Sequence, residues 1–300
     1  MHITLRQLRV FESVSKHLSY TKAAEELHLS QPAVSMQVRQ LEDVVGLPLF
    51  EKMGKKVTLT EAGRTFRSYS QNVQNELSQA KEMMQALKGL NQGQLNIAVA
   101  STVNYYAPRL LAEFHKKYPA IQLHLDVTNR ESLLKKLREN DVDIVLMGQP
   151  PNDMDLKSQA IKENPLVIIA PPEHPLTGKK KLKLKDLKNE TFVMREQGSG
   201  TRIAMESLFE QHGLMYKEGM QMTRNEAIKQ AVRAGIGLSV VSTHTIQLEL
   251  ETGRLCILDV HPFPVIRHWH MVYRSGKRLS PSANAFVNFV QEYTTSTGNT

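Results

Sequence analysis

Two groups of polar residues in this chain have types and spacing suited to binding chemistry. In the first, Pro32, Ser35, Met36 and Arg39 fall along one face of a helical pattern, with Gln31, Gln37 and Gln40 at its edges. Amide side chains can pair with adenine, arginine with guanine or phosphate, and serine with either, so this face suits a DNA major groove. Lys52, Lys55 and Lys56 surround Gly54 on a short basic loop and offer charge to phosphate. Thr21 and Lys22, at the start of the preceding helix, join this DNA-contacting set.

The second group sits after predicted strands. It comprises Ser101-Thr102, Thr128-Asn129-Arg130, Met147-Gly148-Gln149, Arg195 with Gly198-Ser199-Gly200-Thr201-Arg202, and Thr223-Arg224-Asn225. In open α/β sheets, ligands bind at the carboxyl ends of strands, where helix N-termini point. Hydroxyls, free backbone N–H groups and an arginine make an anion site. Each segment alone could be a simple helix cap. Converging on one cleft, Ser101, Thr102, Thr128, Gly148, Arg195, Ser199, Gly200, Thr201, Arg202 and Asn225 form the candidate ligand set.

Enzyme and metal signals are poor. No metalloprotease helix motif and no Gly-x-Ser-x-Gly elbow occurs, and Gly198-Ser199-Gly200 lacks the spacing of a Walker loop or dinucleotide fingerprint. His268 and His270 share a strand face and read as packing rather than a metal pair. Cys256, between Leu255 and Ile257, reads as a buried inert thiol. The expectation is no catalytic residue, no metal and no resident cofactor.

The elements that must position these groups follow from periodicity. Leu5, Leu8, Phe11 and Val14 make the inner stripe of a first helix. Thr21 is placed as the cap of a second, which buries Ala23, Ala24 and Leu27. Leu29-Ser30 is a turn, with Ser30 the N-cap and Pro32 in the first turn of the third helix, where its missing N–H costs nothing. Val34, Val38, Leu41 and Val45 are that helix's inner stripe. Gly46-Leu47-Pro48 stops it, and two short strands around the basic loop form a wing.

From Thr60, the positions Ala62, Phe66, Tyr69, Val73, Leu77, Ala80, Met84 and Leu87 recur at steps of three and four up to Gly89. This is one helix of roughly 40 Å at 1.5 Å per residue. Its narrow apolar stripe needs a partner, and a paired helix from a second subunit is the economical one. Phe66, Tyr69, Val73, Leu77 and Met84 are the candidate dimer interface. Packing on the chain's own second domain is the alternative.

After the polar hinge Asn91-Gln92-Gly93 the period changes. Strands are expected at 95–100, 121–128, 142–147, 166–170, 192–194, 238–241, 255–260 and 268–273. Helices are expected from Ser101-Thr102, from Arg130, from Gly198–Thr201, from Asn225 and from Pro281, with a frayed tail from Thr294. Strands alternating with helices indicate a parallel sheet. The chain crosses between two α/β lobes near 165 and near 266.

Composition sets the outer bounds. Three hundred residues suggest about two domains. The hydrophobic fraction of 41% and the charged fraction of 23% are ordinary for a soluble protein. No apolar run of ~18 residues predicts a membrane helix, and the N-terminus has no secretory h-region. Cys256 is the single cysteine, which excludes an internal disulfide and fits a reducing cytoplasm. The net charge is +8, yet residues 1–60 hold eight Lys/Arg against six acids. The densest basic run, Lys179-Lys180-Lys181-Leu182-Lys183-Leu184-Lys185, lies elsewhere and reads as a solvated face.

The run Ala23-Ala24, Leu27, Ser30-Gln31-Pro32-Ala33-Val34-Ser35, Gln40-Leu41-Glu42, Gly46, Leu49-Phe50, Leu59-Thr60, Ala62-Gly63 resembles the winged helix-turn-helix of LysR-type transcriptional regulators. Lys52 stands where that family usually has arginine, and Met36 occupies a position that varies within it. Arg195–Arg202 and Asn225–Val232, with Ser30–Glu42, look like the branch that regulates Calvin-cycle (RuBisCO operon) genes.

The resemblance implies an α/β fold class: an N-terminal winged helix-turn-helix at 1–60, a linker and dimerisation helix at 61–90, and an effector-binding domain at 91–300. That domain resembles type 2 periplasmic binding proteins, with lobe I at about 91–164 and 267–300 and lobe II at about 165–266. Implied partners are double-stranded DNA with an inverted repeat, a second copy of the chain in a dimer, a dimer of dimers, and RNA polymerase as a further candidate, with no membrane. The implied effector is a small anion such as a sugar phosphate, phosphoenolpyruvate or NADPH. A LysR-type regulator of another pathway, and a cytosolic solute-binding protein without DNA function, are the alternative readings.

Overall fold

The computed structural model describes residues 2–54, 56–87 and 93–297. Lys55, Gly89 and Asn91-Gln92, invoked above, lie outside the described residues. The chain divides into two compact units, Met1–Met84 with Glu139–Asp141, and Gln85–Arg138 with Val142–Thr300.

The first unit contains α1 (Leu5–His17), α2 (Tyr20–Leu27), α3 (Gln31–Val45), the wing strands β1 (Phe50–Met53) and β2 (Lys56–Leu59), and α4 (Glu61–Leu87). Thr4 and Gln7 form a capping box at the start of α1. The core joins Val10, Phe11, Val14, Ala23, Ala24, Val34, Val38, Leu41, Leu49 and Phe50. Leu5 is not part of it. It is 58% exposed, because Val10 rather than Leu5 completes the inner face of α1. Ser19, not Thr21, caps α2. Its backbone is extended (φ −154°) and its hydroxyl accepts from the Lys22 N–H at 3.3 Å, whereas Thr21 already lies inside the helix.

Two contacts fix the wing onto the helices. The Glu42 Oε1 atom accepts from the Leu49 and Phe50 N–H groups at 2.7 and 3.1 Å, tying the end of α3 to β1. At Gly63 the backbone of α4 meets the Leu49 carbonyl so closely that an added Cβ would stand 2.0 Å from that oxygen, so only glycine fits. Thr60 caps α4 by accepting from the Gly63 N–H at 2.9 Å.

Burial pushes the Glu12 carboxyl up to about 7, against the nearby Ser70 hydroxyl and the charge of Arg67, whose Nε stands 3.7 Å from Glu12 Oε2, both of which lower it. The folded state therefore keeps a proton that the unfolded chain releases near pH 4.5. The stability this gives is full below that value and is lost as pH rises through about 7. Glu12→Gln cannot ionise, so the variant is expected to gain stability over the wild type progressively between pH 5 and 8. Parallel unfolding curves across that range, with equal pH dependence in both proteins, would refute this.

The second unit begins with β3 (Gly93–Ala100), α5 (Ala107–Lys117), β4 (Ile121–Thr128), α6 (Arg130–Glu139), β5 (Ile144–Met147) and the long β6 (Leu156–Ala170). It continues through β7 (Leu182–Lys183), β8 (Thr191–Arg195), α7 (Gly200–Gln211), β9 (Lys217–Met222), α8 (Asn225–Arg233), β10 (Ser239–Ser242) and α9 (Gln247–Glu251). It ends with β11 (Cys256–Ile257), β12 (Val260–His261), β13 (Val265–Arg274) and α10 (Pro281–Thr297).

The main sheet has the order β10-β6-β13-β5-β3-β4 and is mixed, not purely parallel. β3 pairs in parallel with β4 and β5, but β13 pairs antiparallel with β5 and β6. The antiparallel ribbon of β6 and β13 runs from Leu156↔Arg274 to Leu166↔Val265. Its far end, Pro165↔Ile266, is where the sequence places the two lobe crossings.

Leu95, Ile97, Phe114, Trp269 and Phe286 pack in the first lobe's core, and Leu166, Ile168, Phe192, Phe209 and Leu238 in the second's. Several expectations need correction. Ser101-Thr102 do not open a helix directly: a 3-10 turn at Val103–Tyr105 comes first, and α5 starts at Ala107 with Pro108 in its first turn. The strand expected over 255–260 is broken into β11 and β12. Cys256 is half-buried rather than enclosed. α10 continues through Thr297, so Thr294 onward is not frayed up to that residue.

Candidate functional site

On α3, Gln31, Pro32, Ser35, Arg39 and Gln40 are exposed and Met36 is 54% exposed, opposite the buried Val34, Val38 and Leu41. Ser30 caps the helix, its hydroxyl accepting from the Ala33 N–H at 3.3 Å. Gln37 is half-buried and donates its amide to Gln40 Oε1 at 3.2 Å. Thr21, Lys22 and Lys56 are exposed, and Lys52 lies on β1.

On α4, Tyr69, Val73, Leu77 and Met84 are 68%, 43%, 46% and 54% exposed, an apolar stripe left uncovered among the described residues. Phe66 belongs elsewhere: its ring packs edge-on against Phe11 at 5.0 Å, closing the helix-turn-helix core.

In the second unit a cavity of about 210 Å³ lies between the two lobes. Ser101, Thr102, Thr128 and Gly148 reach it from the ends of β3, β4 and β5. Ser199, Gly200 and Thr201 reach it from the start of α7. The Ser199 hydroxyl makes no capping bond, so its oxygen and the first N–H groups of α7 remain available to an anion. An added Cβ at Gly148 or Gly200 would meet nothing within 4 Å. The glycine that the backbone requires is Gly198, at φ +77°.

The arginines divide in a way the sequence did not suggest. Arg195 lines the cavity, but its guanidinium is already committed. Nε and Nη2 donate to the two Glu196 carboxylate oxygens at 2.8 Å each, Nη1 donates to Asn225 Oδ1 at 2.9 Å, and Nη2 also donates to Ser101 Oγ at 3.1 Å. Asn225 does not line the cavity. It holds Arg195 and donates to the Ser101 carbonyl at 3.3 Å. Together these bonds bridge the lobes.

Arg202 is absent from the cavity wall. Its guanidinium is buried against Glu206, Glu218, Gln221 and the Arg195 carbonyl. Helical phase turns it away from its neighbour Thr201, which does line the cavity.

Two further cations line the cavity, Arg130 and Arg267. Burial, and then the positive charge of Arg267, hold the Arg130 guanidinium below its ordinary value. Arg130 donates to the Gln149 carbonyl at 2.7 Å, while the Arg267 guanidinium, on a backbone paired with Asn164, has no hydrogen bond or ion pair among the described residues. Two like charges near one polar cavity repel each other, and an anion between them removes that penalty. Sequence reasoning missed Arg267. It also read His268 as packing, whereas His268 lines the cavity beside Trp269. The usable signal was the lobe crossing near 266, since residues at a crossing form the floor of the cleft.

Away from the cavity lining, Tyr105 donates its hydroxyl to Glu226, and the Lys229 ammonium lies 5.4 Å from the centre of the Tyr105 ring. Among the described residues, no three His, Cys, Asp or Glu side chains group as metal ligands. No described helix is long and apolar enough to cross a membrane.

Residues 5–64 match the model of the bacterial regulatory helix-turn-helix protein, lysR family, and residues 88–295 match the LysR substrate binding domain. The chain is 62% identical over 290 residues to a RuBisCO operon transcriptional regulator of Allochromatium vinosum, covering 97% of this chain and 96% of that protein. Its effector-binding part is similar to the CcmR regulatory domain of Synechocystis PCC6803, solved in complex with 2-PG. That likeness has 41% identity and a TM-score of 0.66, covering 69% of this chain and 99% of that one. Full-length CbnR complexed with its target DNA shares the whole fold, with 21% identity and a TM-score of 0.70 over 96% of this chain and 99% of that one. A winged helix-turn-helix followed by a two-lobed α/β domain, with both family models matched in that order, makes this chain a member of the LysR family of bacterial helix-turn-helix transcriptional regulators, in the branch of the RuBisCO operon regulators.

Proposed function

We propose that the chain is a cytoplasmic, sequence-specific regulator of carbon-fixation genes whose DNA complex responds to a small phosphorylated metabolite. In this reading residues 1–60 bind DNA through α3 and the wing, 61–90 dimerise, and 91–300 take the effector. Two copies read an inverted repeat, and two dimers assemble as a tetramer that acts on RNA polymerase. The observation that carries the effector part is the cavity between the lobes, with hydroxyls and a helix N-terminus on its walls and the like-charged Arg130 and Arg267 facing it. The 62% identity to a RuBisCO operon regulator supports the choice of target genes.

A cavity of about 210 Å³ falls below the roughly 300–1,000 Å³ of drug-sized ligand sites. It favours a two- or three-carbon phosphorylated acid over a nicotinamide dinucleotide, which would be too large to enclose. The 2-phosphoglycolate held by the related Synechocystis domain is of that class. A ligand bound to both lobes shifts their relative orientation only by its differential affinity for the two arrangements.

The test is calorimetry of the full chain with 2-phosphoglycolate, phosphoenolpyruvate and NADPH, beside Thr102→Val. The small phosphorylated acids are expected to bind, with loss of roughly tenfold or more in the variant as a charge-assisted hydrogen bond disappears. Binding unchanged in Thr102→Val moves the site elsewhere. On DNA from upstream of a RuBisCO operon, Arg39→Ala should cost about 1–3 kcal/mol if it contacts a base. Full affinity in that variant removes Arg39 from the reading surface.

A further inference from the structure

The densest basic run of the sequence lies outside the DNA-binding module. Residues 179–190 carry six lysines, at 179, 180, 181, 183, 185 and 188, against Asp186 and Glu190. In the structure Leu182, Leu184 and Leu187 are buried in the second lobe's core, and all six lysines are exposed. The segment is held in place. β7 pairs in parallel with β12, and the Leu182 N–H donates to the Asp259 carbonyl at 2.9 Å.

The nearby carboxylates are turned to other tasks. Asp259 accepts from the Lys181 backbone N–H at 3.1 Å, Asp186 from the Lys183 N–H at 2.8 Å, and Glu190 pairs with His174 at 3.3 Å. None of the six ammonium groups has a carboxylate partner among the described residues. A solvated face normally mixes both signs, because unpaired like charges destabilise the folded chain by mutual repulsion. Here the backbone is pinned so that the repulsion is retained, which points to a polyanion as the missing counterpart.

The charge distribution says which polyanion. The helix-turn-helix and wing contribute +2 of the net +8, from eight basic and six acidic residues in 1–60. A chain that holds DNA through a module of such low surplus gains most from a second phosphate contact on the same polypeptide. A tethered second site raises overall affinity without new specificity. We propose that the lysine face of lobe II, Lys179 to Lys188, is a sequence-independent contact for the phosphate backbone of the DNA held by the chain's own helix-turn-helix. This rests on the DNA-binding reading above. The alternating leucines give the face its rigidity, and the lysines give it charge without base readout.

Each phosphate neutralised releases counterions, so log K falls with log salt by about 0.9 per contact. The full chain is therefore compared with a variant carrying Lys179→Gln, Lys180→Gln, Lys183→Gln and Lys185→Gln. Lys181 is left in place because its φ of +56° makes substitution there a backbone test as well. A matched variant with arginine at the same four positions retains the charge. Binding is measured over a salt series to RuBisCO operon upstream DNA with long flanks and to unrelated DNA of equal length.

The glutamine variant is expected to show a slope shallower by at least about 0.9. Affinity should fall for both DNAs alike, the preference between them should stay unchanged, and the arginine variant should match the wild type. A wild-type slope in the glutamine variant overturns the proposal and leaves the DNA reading standing. A shifted preference for operator over unrelated DNA also overturns it, since phosphate contacts carry no sequence. Failure of the wild type to prefer operator DNA at all overturns the DNA reading, and this proposal with it.

Discussion

Arg195→Met is expected to destabilise the effector-binding unit by about 3–5 kcal/mol and to abolish binding of an anionic ligand, while Arg195→Met combined with Glu196→Met restores most of the stability. Arg195 is 6% exposed and the Glu196 side chain 12%. Removing the arginine alone leaves a nearly buried carboxylate without its two 2.8 Å bonds. Breaking such a pair from one side costs far more than the pair contributes, because the remaining charge is stranded, whereas replacing both partners by apolar groups is often neutral.

Glu196 also lines the cavity. Unneutralised, it would repel any anion held by Ser199 and Thr201. The substitution further removes the bonds to Asn225 and Ser101, so the end of β3 loses its tie to lobe II. Unfolding midpoints should fall by roughly 2–4 °C per kcal/mol for a unit of this size, and calorimetry should separate the two effects. A single variant with native midpoint and native ligand affinity would show that the Arg195–Glu196 pair neither holds the lobes nor neutralises the cavity. A double variant no more stable than the single one would place the loss in the bonds to Ser101 and Asn225 instead.

The helix-turn-helix was legible because its signals are local. The stripe of α3, the cap at Ser30 and the turn at Gly46 are each decided within one or two helical turns. The capping error at α2 has the same origin. Ser19 and Thr21 are both hydroxyl residues at the start of a helix, and only the extended backbone at Ser19 separates them. Buried strands such as β5, all four residues of which are buried, announce themselves as apolar runs. β9 does not. Five of its six residues are exposed, and it exists because β8 offers a parallel partner, a tertiary fact with no trace in its own composition.

The site shows the same division. Hydroxyls after strands were found by position, since the carboxyl ends of β3 and β4 are set by strand length. Arg267 was missed and His268 read as packing because both sit within β13, where alternation says which side a residue faces but not what faces it. Arg202 was drawn in by adjacency to Thr201, yet one step along a helix rotates the side chain by about 100°. That step carries it to Glu206 and Glu218.

Val73→Glu is expected to convert the protein to a 34.0 kDa monomer and to abolish binding to paired half-sites. Val73 is 43% exposed in the single chain and sits in line with Tyr69, Leu77 and Met84. The substitution therefore removes little packing within the chain, and glutamate is a better helix former than valine. Folding of each chain should be unaffected, which makes the variant a test of association. If two α4 helices pair along this stripe, Val73→Glu places a carboxylate from each subunit in an apolar seam. An unpaired buried charge costs several kcal/mol per ion, and every 1.4 kcal/mol is about tenfold in the dimer constant.

Operator affinity falls with the dimer, because an inverted repeat is read by two modules whose spacing the paired helices set. Ser78→Glu, an exposed change off the stripe, should keep the native mass and operator affinity. Light scattering gives the mass, circular dichroism confirms the retained helix, and a gel shift on full and half operators reads the binding. A soluble Val73→Glu protein of native mass and full operator affinity would remove α4 from the interface, and the exposed stripe would then need a different partner.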